Sequence, residues 1–214
     1  ATSGGDASIS SRPRARSTTP LAAIGASIAS REGQLPVTIT GTPAPMARQH
    51  QSKVASAQIK SAILLAGLNA RGITEIIEPH ASRDHSESML RYFGADVQQS
   101  IADDGRHIIR LQGEAELHGR QIVVPRDPSS AAFSTVAALI TPQSDVVIPG
   151  IDMNPLRNGL LDTLIEMGGL IERVNEREVG GEKVADLHVK SSQLHAIEVP
   201  ASRAASMIDE YPIL

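Results

Sequence analysis

Leu90-Arg91-Tyr92-Phe93-Gly94-Ala95-Asp96-Val97 is the stretch on which the reading of the fold turns. It carries the last turn of an amphipathic helix, then a glycine at the helix C-cap, then the start of a strand. Glycine suits that place because it adopts the left-handed backbone without steric cost. The pattern occurs twice more, as Leu21-Ala22-Ala23-Ile24-Gly25-Ala26-Ser27-Ile28 and as Leu164-Ile165-Glu166-Met167-Gly168-Gly169-Leu170-Ile171, at spacings of 69 and 74 residues.

Working outward, more of a unit repeats. Ser56 to Leu68 and Ser129 to Ile140 both begin with small polar residues and continue as apolar helix, with serine a favourable N-cap. A β-rich run follows each, Thr74 to Glu78 and Asp145 to Ile148. A loop then leads to the second helix, with Arg83 and Arg157 each eleven residues before the closing glycine. The spacing predicts that each copy ends in an alternating strand pair, His107 to Leu111 with Gln121 to Val124, and Asp186 to Lys190 with Ala196 to Val199. Leu35 to Thr40 is the matching strand of a partial first copy, and Ser206 to Leu214 stands where a further first helix is expected. The unit is therefore helix, strand, helix, strand, strand, in about two full copies with a partial copy at each end. A period near 70 residues is long for a solenoid. A globular α/β fold with internal pseudo-symmetry suits it better.

Composition narrows the chemistry. The 214 residues correspond to between one and two domains and carry a net charge of −4, which argues against a general nucleic-acid binder. With no cysteine there is no disulfide, thiolate metal site or cysteine nucleophile, and two Tyr, two Phe and no Trp make no stacking platform. The longest apolar run, Ala62 to Leu68, is far below the ~20 residues of a membrane span, and no signal peptide is evident at the start. The charge is uneven: 14 basic against 11 acidic residues up to Arg126, then 6 against 13 from Asp127 onward. A boundary at that point would divide the chain into residues 1–126 and 127–214.

The first helices begin at Ser56-Ala57-Gln58, at Ser129-Ser130 and at Ile208-Asp209. Helix N-termini present unsatisfied N–H groups and the positive end of the dipole, so they attract anions. Arg12 and Arg83, at the starts of second helices, would add bidentate recognition of carboxylate or phosphate. Asp209 among them would be a candidate proton carrier or hydroxyl acceptor. Each residue also has a plain structural reading: Ser56 and Ser129 as ordinary N-caps, Arg12 and Arg83 as solvated charges, Asp209 as a dipole partner. There is no P-loop, no G-x-S-x-G elbow and no histidine pair with metal-ligand spacing. From the residues alone the reading reaches a repeated α/β pair with an anion-binding cleft.

Five motifs extend it. Gly5-Asp6-Ala7-Ser8 with Arg12-Pro13, Ser56-Ala57-Gln58-Ile59-Lys60-Ser61-Ala62, Ser82-Arg83-Asp84-His85, Asp127-Pro128-Ser129-Ser130-Ala131-Ala132 and Met207-Ile208-Asp209-Glu210-Tyr211-Pro212-Ile213-Leu214 stand in one order. Together they resemble the 5-enolpyruvylshikimate-3-phosphate (EPSP) synthase family, in the version found in bacterial class II enzymes, over essentially the whole chain. The resemblance implies an α/β fold of two domains, the inside-out α/β barrel of the enolpyruvyl transferases. Each domain is built from three β-α-β-α-β-β units, and only part of it is spanned here.

It also implies an activity: the enolpyruvyl group of phosphoenolpyruvate passes to the 5-hydroxyl of shikimate 3-phosphate through a tetrahedral intermediate, and phosphate leaves. Ser56, Ala57, Gln58 and Arg83 would then hold shikimate 3-phosphate, with Arg12 and Gln58 on phosphoenolpyruvate. Asp209 would contact the shikimate hydroxyls and take part in proton transfer. The same resemblance implies no metal or organic cofactor, no nucleic-acid or membrane partner, a cytoplasmic location and a monomer at full length. The family's Lys-Ser-Arg segment would lie upstream of Ala1 and its later Lys-Glu segment, arginines and lysine downstream of Leu214, so the chain alone is expected to be inactive. Two rivals stay open: the sister UDP-N-acetylglucosamine enolpyruvyl transferase, whose usual loop cysteine has no counterpart here, and a non-catalytic substrate-binding module.

Overall fold

In the computed structural model the described residues are 2–11 and 14–214, and contacts divide them into two compact units that part between Gly119 and Arg120. The sequence-based boundary at Arg126/Asp127 lies seven residues further on. Arg126 is bridged to Ile151, its N–H donating to the Gly150 carbonyl, so these residues join the second unit through its own strand.

The first unit runs β1 (Thr2–Ser3), α1 (Ala7–Ser10), α2 (Ala15–Ile24), β2 (Ser27–Arg31), β3 (Gln34–Thr40), β4 (Gln49–Gln51), α3 (Ala57–Gly67), β5 (Ile73–Glu78), α4 (His85–Tyr92), β6 (Val97–Ile101) and β7 (His107–Gln112). Its strands form two sheets, ordered β1-β3-β2 and β4-β5-β7-β6. The second unit runs α5 (Pro128–Ile140), β8 (Asp145–Asp152), α6 (Gly159–Glu166), β9 (Leu170–Val179), β10 (Glu182–Lys190) and a short 3₁₀ helix, Ala201–Ser206, with one sheet ordered β8-β10-β9.

One topology thus appears three times: the last strand of each copy lies between the two before it, antiparallel to both. The three glycines that revealed the repeat share one geometry. Gly25, Gly94 and Gly168 have φ of 118°, 103° and 97°. In each copy the glycine N–H donates to the carbonyl three residues back and the next N–H to the carbonyl five residues back, which closes the helix end.

Two expectations are corrected. Gln121 to Val124 and Ala196 to Val199 are not strands. The partners of His107–Gln112 and Glu182–Lys190 are the strands before them, β6 and β9. The reason is geometric: β7 already has β5 and β6 on its two edges, and β10 has β8 and β9, so neither has an edge left. Ser206 to Leu214 is not a first helix either. Met207 to Ile213 forms consecutive turns with N–H donation from Glu210 to Met207 and from Ile213 to Glu210. Pro212 supplies no N–H there and biases Tyr211 away from helix.

Each unit has its own core. Ile63 and Leu64 of α3 pack with Ile76, Leu90, Val97, Ile109, Leu111 and, from the partial copy, Ile24. In the second unit Leu139, Ile151, Leu160, Leu164, Leu187 and Val189 do the same, with Met207 fully buried among them. No helix among the described residues is long and apolar enough to cross a membrane.

Candidate active site

Helix α3 begins at Ser56, whose extended backbone (φ −153°, ψ 109°) makes it the N-cap and whose Oγ accepts from the Ile59 N–H at 3.5 Å. The amides of Ala57 and Gln58, in the first turn, have no acceptor within the helix. Ala57 and Ser56 are half-buried and Gln58 is exposed. A helix start of this kind carries backbone donors that the helix itself does not satisfy.

Beneath it lies a group of buried charges. Lys60, Glu78 and Glu87 are 2 %, 1 % and 0 % exposed. The Lys60 Nζ stands 3.2 Å from Glu78 and 2.7 Å from Glu87, and donates to the Ser82 carbonyl at 3.1 Å. Glu78 Oε1 accepts from the Ser56 N–H at 2.9 Å, and the Ser82 hydroxyl lies within 2.9 and 2.8 Å of both Glu78 oxygens. Glu78 thereby ties the start of α3 to the loop that carries Arg83. A second tie lies beside it, where the Ser61 and Ser86 hydroxyls meet at 2.5 Å. Burial pushes the Glu87 carboxyl up from its ordinary value, against the pull of Lys60. Its Oε2 has no hydrogen-bond partner among the described residues.

The structure therefore brings Ser56, Ala57, Gln58 and Arg83 to one end of the first unit. A cleft of about 590 Å³ opens beside Ser56, lined in part by Arg16, Thr19, His50 and Lys53. Sequence reasoning missed Arg16, His50 and Lys53. Lys53, three residues before the cap, was the one with a signal, since a cation beside a helix start favours an anion there. Burial lowers the His50 pKa, so that the ring holds its proton less readily. Arg12 lies outside the described residues.

In the second unit α5 starts differently. Asp127, not Ser129, is the N-cap: its carboxylate accepts from the Ser129 and Ser130 N–H groups at 3.3 and 3.0 Å and from the Ser130 hydroxyl at 2.9 Å. Burial opposes ionisation of Asp127, but these hydrogen bonds and Arg157 outweigh it and hold the carboxyl below its ordinary value. The Ser129 hydroxyl instead donates to the Glu210 carboxylate, and Arg157 donates to Ser129 at 2.5 Å and to Asp127 at 3.1 Å. Glu210 is 4 % exposed, while Asp209 beside it is exposed. The buried glutamate pins the turn that carries the exposed aspartate. The pair Asp209-Glu210 was legible within its motif, but not which of the two acids is anchored.

Three copies of a split β-α-β-β unit define the architecture of an enolpyruvyl transferase. The fold matches that of the enolpyruvyl transferase NikO from Streptomyces tendae at a TM-score of 0.66 and 15 % identity, covering 91 % of this chain and 46 % of that one. Residues 2–214 match the family model of EPSP synthase (3-phosphoshikimate 1-carboxyvinyltransferase), and the chain belongs to that family. It is 59 % identical over 98 % of its length to a 3-phosphoshikimate 1-carboxyvinyltransferase of Acidiphilium cryptum. With that of Granulibacter bethesdensis the identity is 56 % over the same share. An EPSP synthase structure from Acinetobacter baumannii superposes with a TM-score of 0.88 at 44 % identity, covering 99 % of this chain and 47 % of that one. The chain spans about half the length of the curated relatives it matches, 47 % in both cases above.

Proposed function

We propose that the protein carrying this chain transfers the enolpyruvyl group of phosphoenolpyruvate to the 5-hydroxyl of shikimate 3-phosphate, releasing phosphate. The observation that carries this is the start of α3, where Ser56, Ala57 and Gln58 stand next to a loop bearing Arg83 and tied to the same buried carboxylate. First-turn amides and a guanidinium together suit a phosphate group, which accepts several charge-assisted hydrogen bonds at once. Ser56, Ala57, Gln58 and Arg83 bind shikimate 3-phosphate; Gln58 and Arg12 bind phosphoenolpyruvate. Asp209, exposed on a turn held by Glu210, accepts from the shikimate hydroxyls and moves a proton as the hydroxyl attacks. Both substrates are anionic, and cations gathered at a helix start attract them in spite of the net charge of −4. The enzyme acts in the cytoplasm as a monomer, and this chain alone forms half of the site without turning over.

The test uses this chain continued to the length of its relatives, hereafter the family-length protein. It is expected to release phosphate from phosphoenolpyruvate only with shikimate 3-phosphate present, and Asp209→Ala is expected to lower that rate by about a hundredfold or more, the scale of a lost acid–base group. Equal turnover with UDP-N-acetylglucosamine would move the assignment to the sister enzyme. Binding without turnover would make the protein a binding module. The short chain by itself should show a rise in melting temperature with shikimate 3-phosphate and no phosphate release.

A further inference from the structure

Two of the buried ions under α3, Lys60 and Glu87, are not a requirement of the fold. The place of Glu78, by contrast, is taken in the second unit by another buried carboxylate, Asp152, which stands five residues before Arg157 as Glu78 does before Arg83. Lys60 stands four residues after the N-cap Ser56, and Ala131 stands four after the N-cap Asp127. Glu87 stands seven residues before Gly94, and Leu161 seven before Gly168. The second unit thus builds the same topology with an alanine and a leucine, both in its apolar core, where the first places a lysine and a glutamate. Burying one ammonium with two carboxylates is expensive, and apolar residues of similar volume generally serve stability as well or better. Stability alone does not call for the polar version.

Its geometry supplies the account. Each Glu78 contact goes to a backbone or side-chain group that sets the ligand-facing residues: the Ser56 N–H at the head of α3, the Ser82 hydroxyl next to Arg83, and the Lys60 ammonium that also grips the Ser82 carbonyl. We propose that Glu78, with Lys60 as its counter-ion and Ser82 as its relay, is a positioning residue that fixes the α3 amides relative to Arg83 for binding of the phosphate of shikimate 3-phosphate. This rests on the function proposed above. Glu78 is 1 % exposed and does not reach a ligand itself; it acts through Ser56 and Ser82. Lys60 offsets its charge, so that the carboxylate does not cancel the positive field of the helix start.

Steady-state phosphate release by the family-length protein tests the proposal. Ser82→Ala removes one hydroxyl and leaves the backbone alone. It is expected to raise the KM for shikimate 3-phosphate about five- to tenfold, the scale of one hydrogen bond, with a melting temperature within about 2 °C of the parent. Ser82→Thr keeps the hydroxyl and is expected to restore the KM to within about twofold. In a Glu78→Gln background, which itself raises the KM, Ser82→Ala is expected to add about twofold or less, because residues in one network are not additive. The proposal is overturned by an unchanged KM in Ser82→Ala. It is equally overturned by a full Ser82→Ala effect in the Glu78→Gln background, which would place Ser82 on the ligand directly. Absence of turnover in the parent protein would instead remove the proposed reaction. Hydrogen exchange of the Ser56 amide, slow in the parent and faster in both variants, would then decide whether the clasp exists.

Discussion

The starts of α3 and α5 occupy the same place in two copies of one unit, yet they are secured by different chemistry. At α3 the cap is a neutral serine with a long bond to Ile59, and a buried glutamate from the end of the next strand holds the cap's own N–H. At α5 the cap is an aspartate with three short-range bonds, braced by Arg157 from outside, over an apolar core. In the first, the charge lies under the helix, and neither Glu78 nor the Ser56 hydroxyl takes up the first-turn amides of Ala57 and Gln58. In the second, the cap carboxylate takes up the Ser129 and Ser130 amides itself. The difference teaches that a repeated fold can keep its topology while one helix start is held from beneath by a buried carboxylate and another is closed by its own cap side chain.

The comparison can be broken most decisively at Lys60. Lys60→Met leaves Glu78 and Glu87 buried without their cation, and is expected to cost about 3–5 kcal/mol in urea unfolding of the chain. Lys60→Ala with Glu87→Leu, which copies the second unit at those two positions, should recover only part of that loss, because the unpaired charge of Glu87 is removed while Glu78 stays buried without its cation. A double variant as unstable as Lys60→Met would show that the two copies do not share an interchangeable core.

Next come the glycines. Gly94→Ala and Gly168→Ala both force a side chain into left-handed backbone, with the new Cβ at 3.2 Å from His118 in one and from His195 in the other. Each should lose about 1–2 kcal/mol, and by similar amounts, in the same unfolding measurement. A large disparity would mean that the shared helix ending is not energetically shared.

The caps should differ more subtly. Asp127→Ala is expected to cost about 1–2 kcal/mol and Ser56→Ala about 0.5 kcal/mol, since the serine bond is long and Glu78 still holds the Ser56 amide.

The smallest expected effect is one of pH. The depressed Asp127 carboxyl contributes stability that is present above its unfolded value and is lost as pH falls through its folded value. The raised Glu87 carboxyl acts the other way: the folded state holds its proton longer, so stability declines as pH rises from the unfolded value through the folded one. Unfolding midpoints across acid to neutral pH should therefore steepen downward at acid pH for the parent but less for Asp127→Ala. Equal slopes for the two proteins would remove Asp127 from the account.

Much of the fold was legible because its signals are local. The three C-cap glycines, the runs now seen as α3, α5, β5 and β8, and the eleven-residue step from Arg83 and Arg157 to Gly94 and Gly168 could all be read along the chain. Gln121 to Val124 and Ala196 to Val199 misled because alternation reports a strand's faces and says nothing of whether a neighbour has an edge free. The motifs Ser56-Ala57-Gln58 and Ser82-Arg83 were also visible, but the residue that joins them was not. Glu78 reads as the polar end of an ordinary strand, and Lys60 as a surface charge on an apolar helix.

The sequence by itself determined the repeat, the positions of its helix-ending glycines, the start of α3 and the family to which the chain belongs. These depend on backbone preferences and on residue types at fixed short spacings. Only the tertiary structure decided that Lys60, Glu78 and Glu87 are buried together, that Asp127 rather than Ser129 caps α5, and that Glu210 is anchored while Asp209 faces out. The physical reason is that burial and pairing join residues distant along the chain, Ser129 and Glu210 by 81 positions, and a charge has no way of showing locally whether it will face water or another charge.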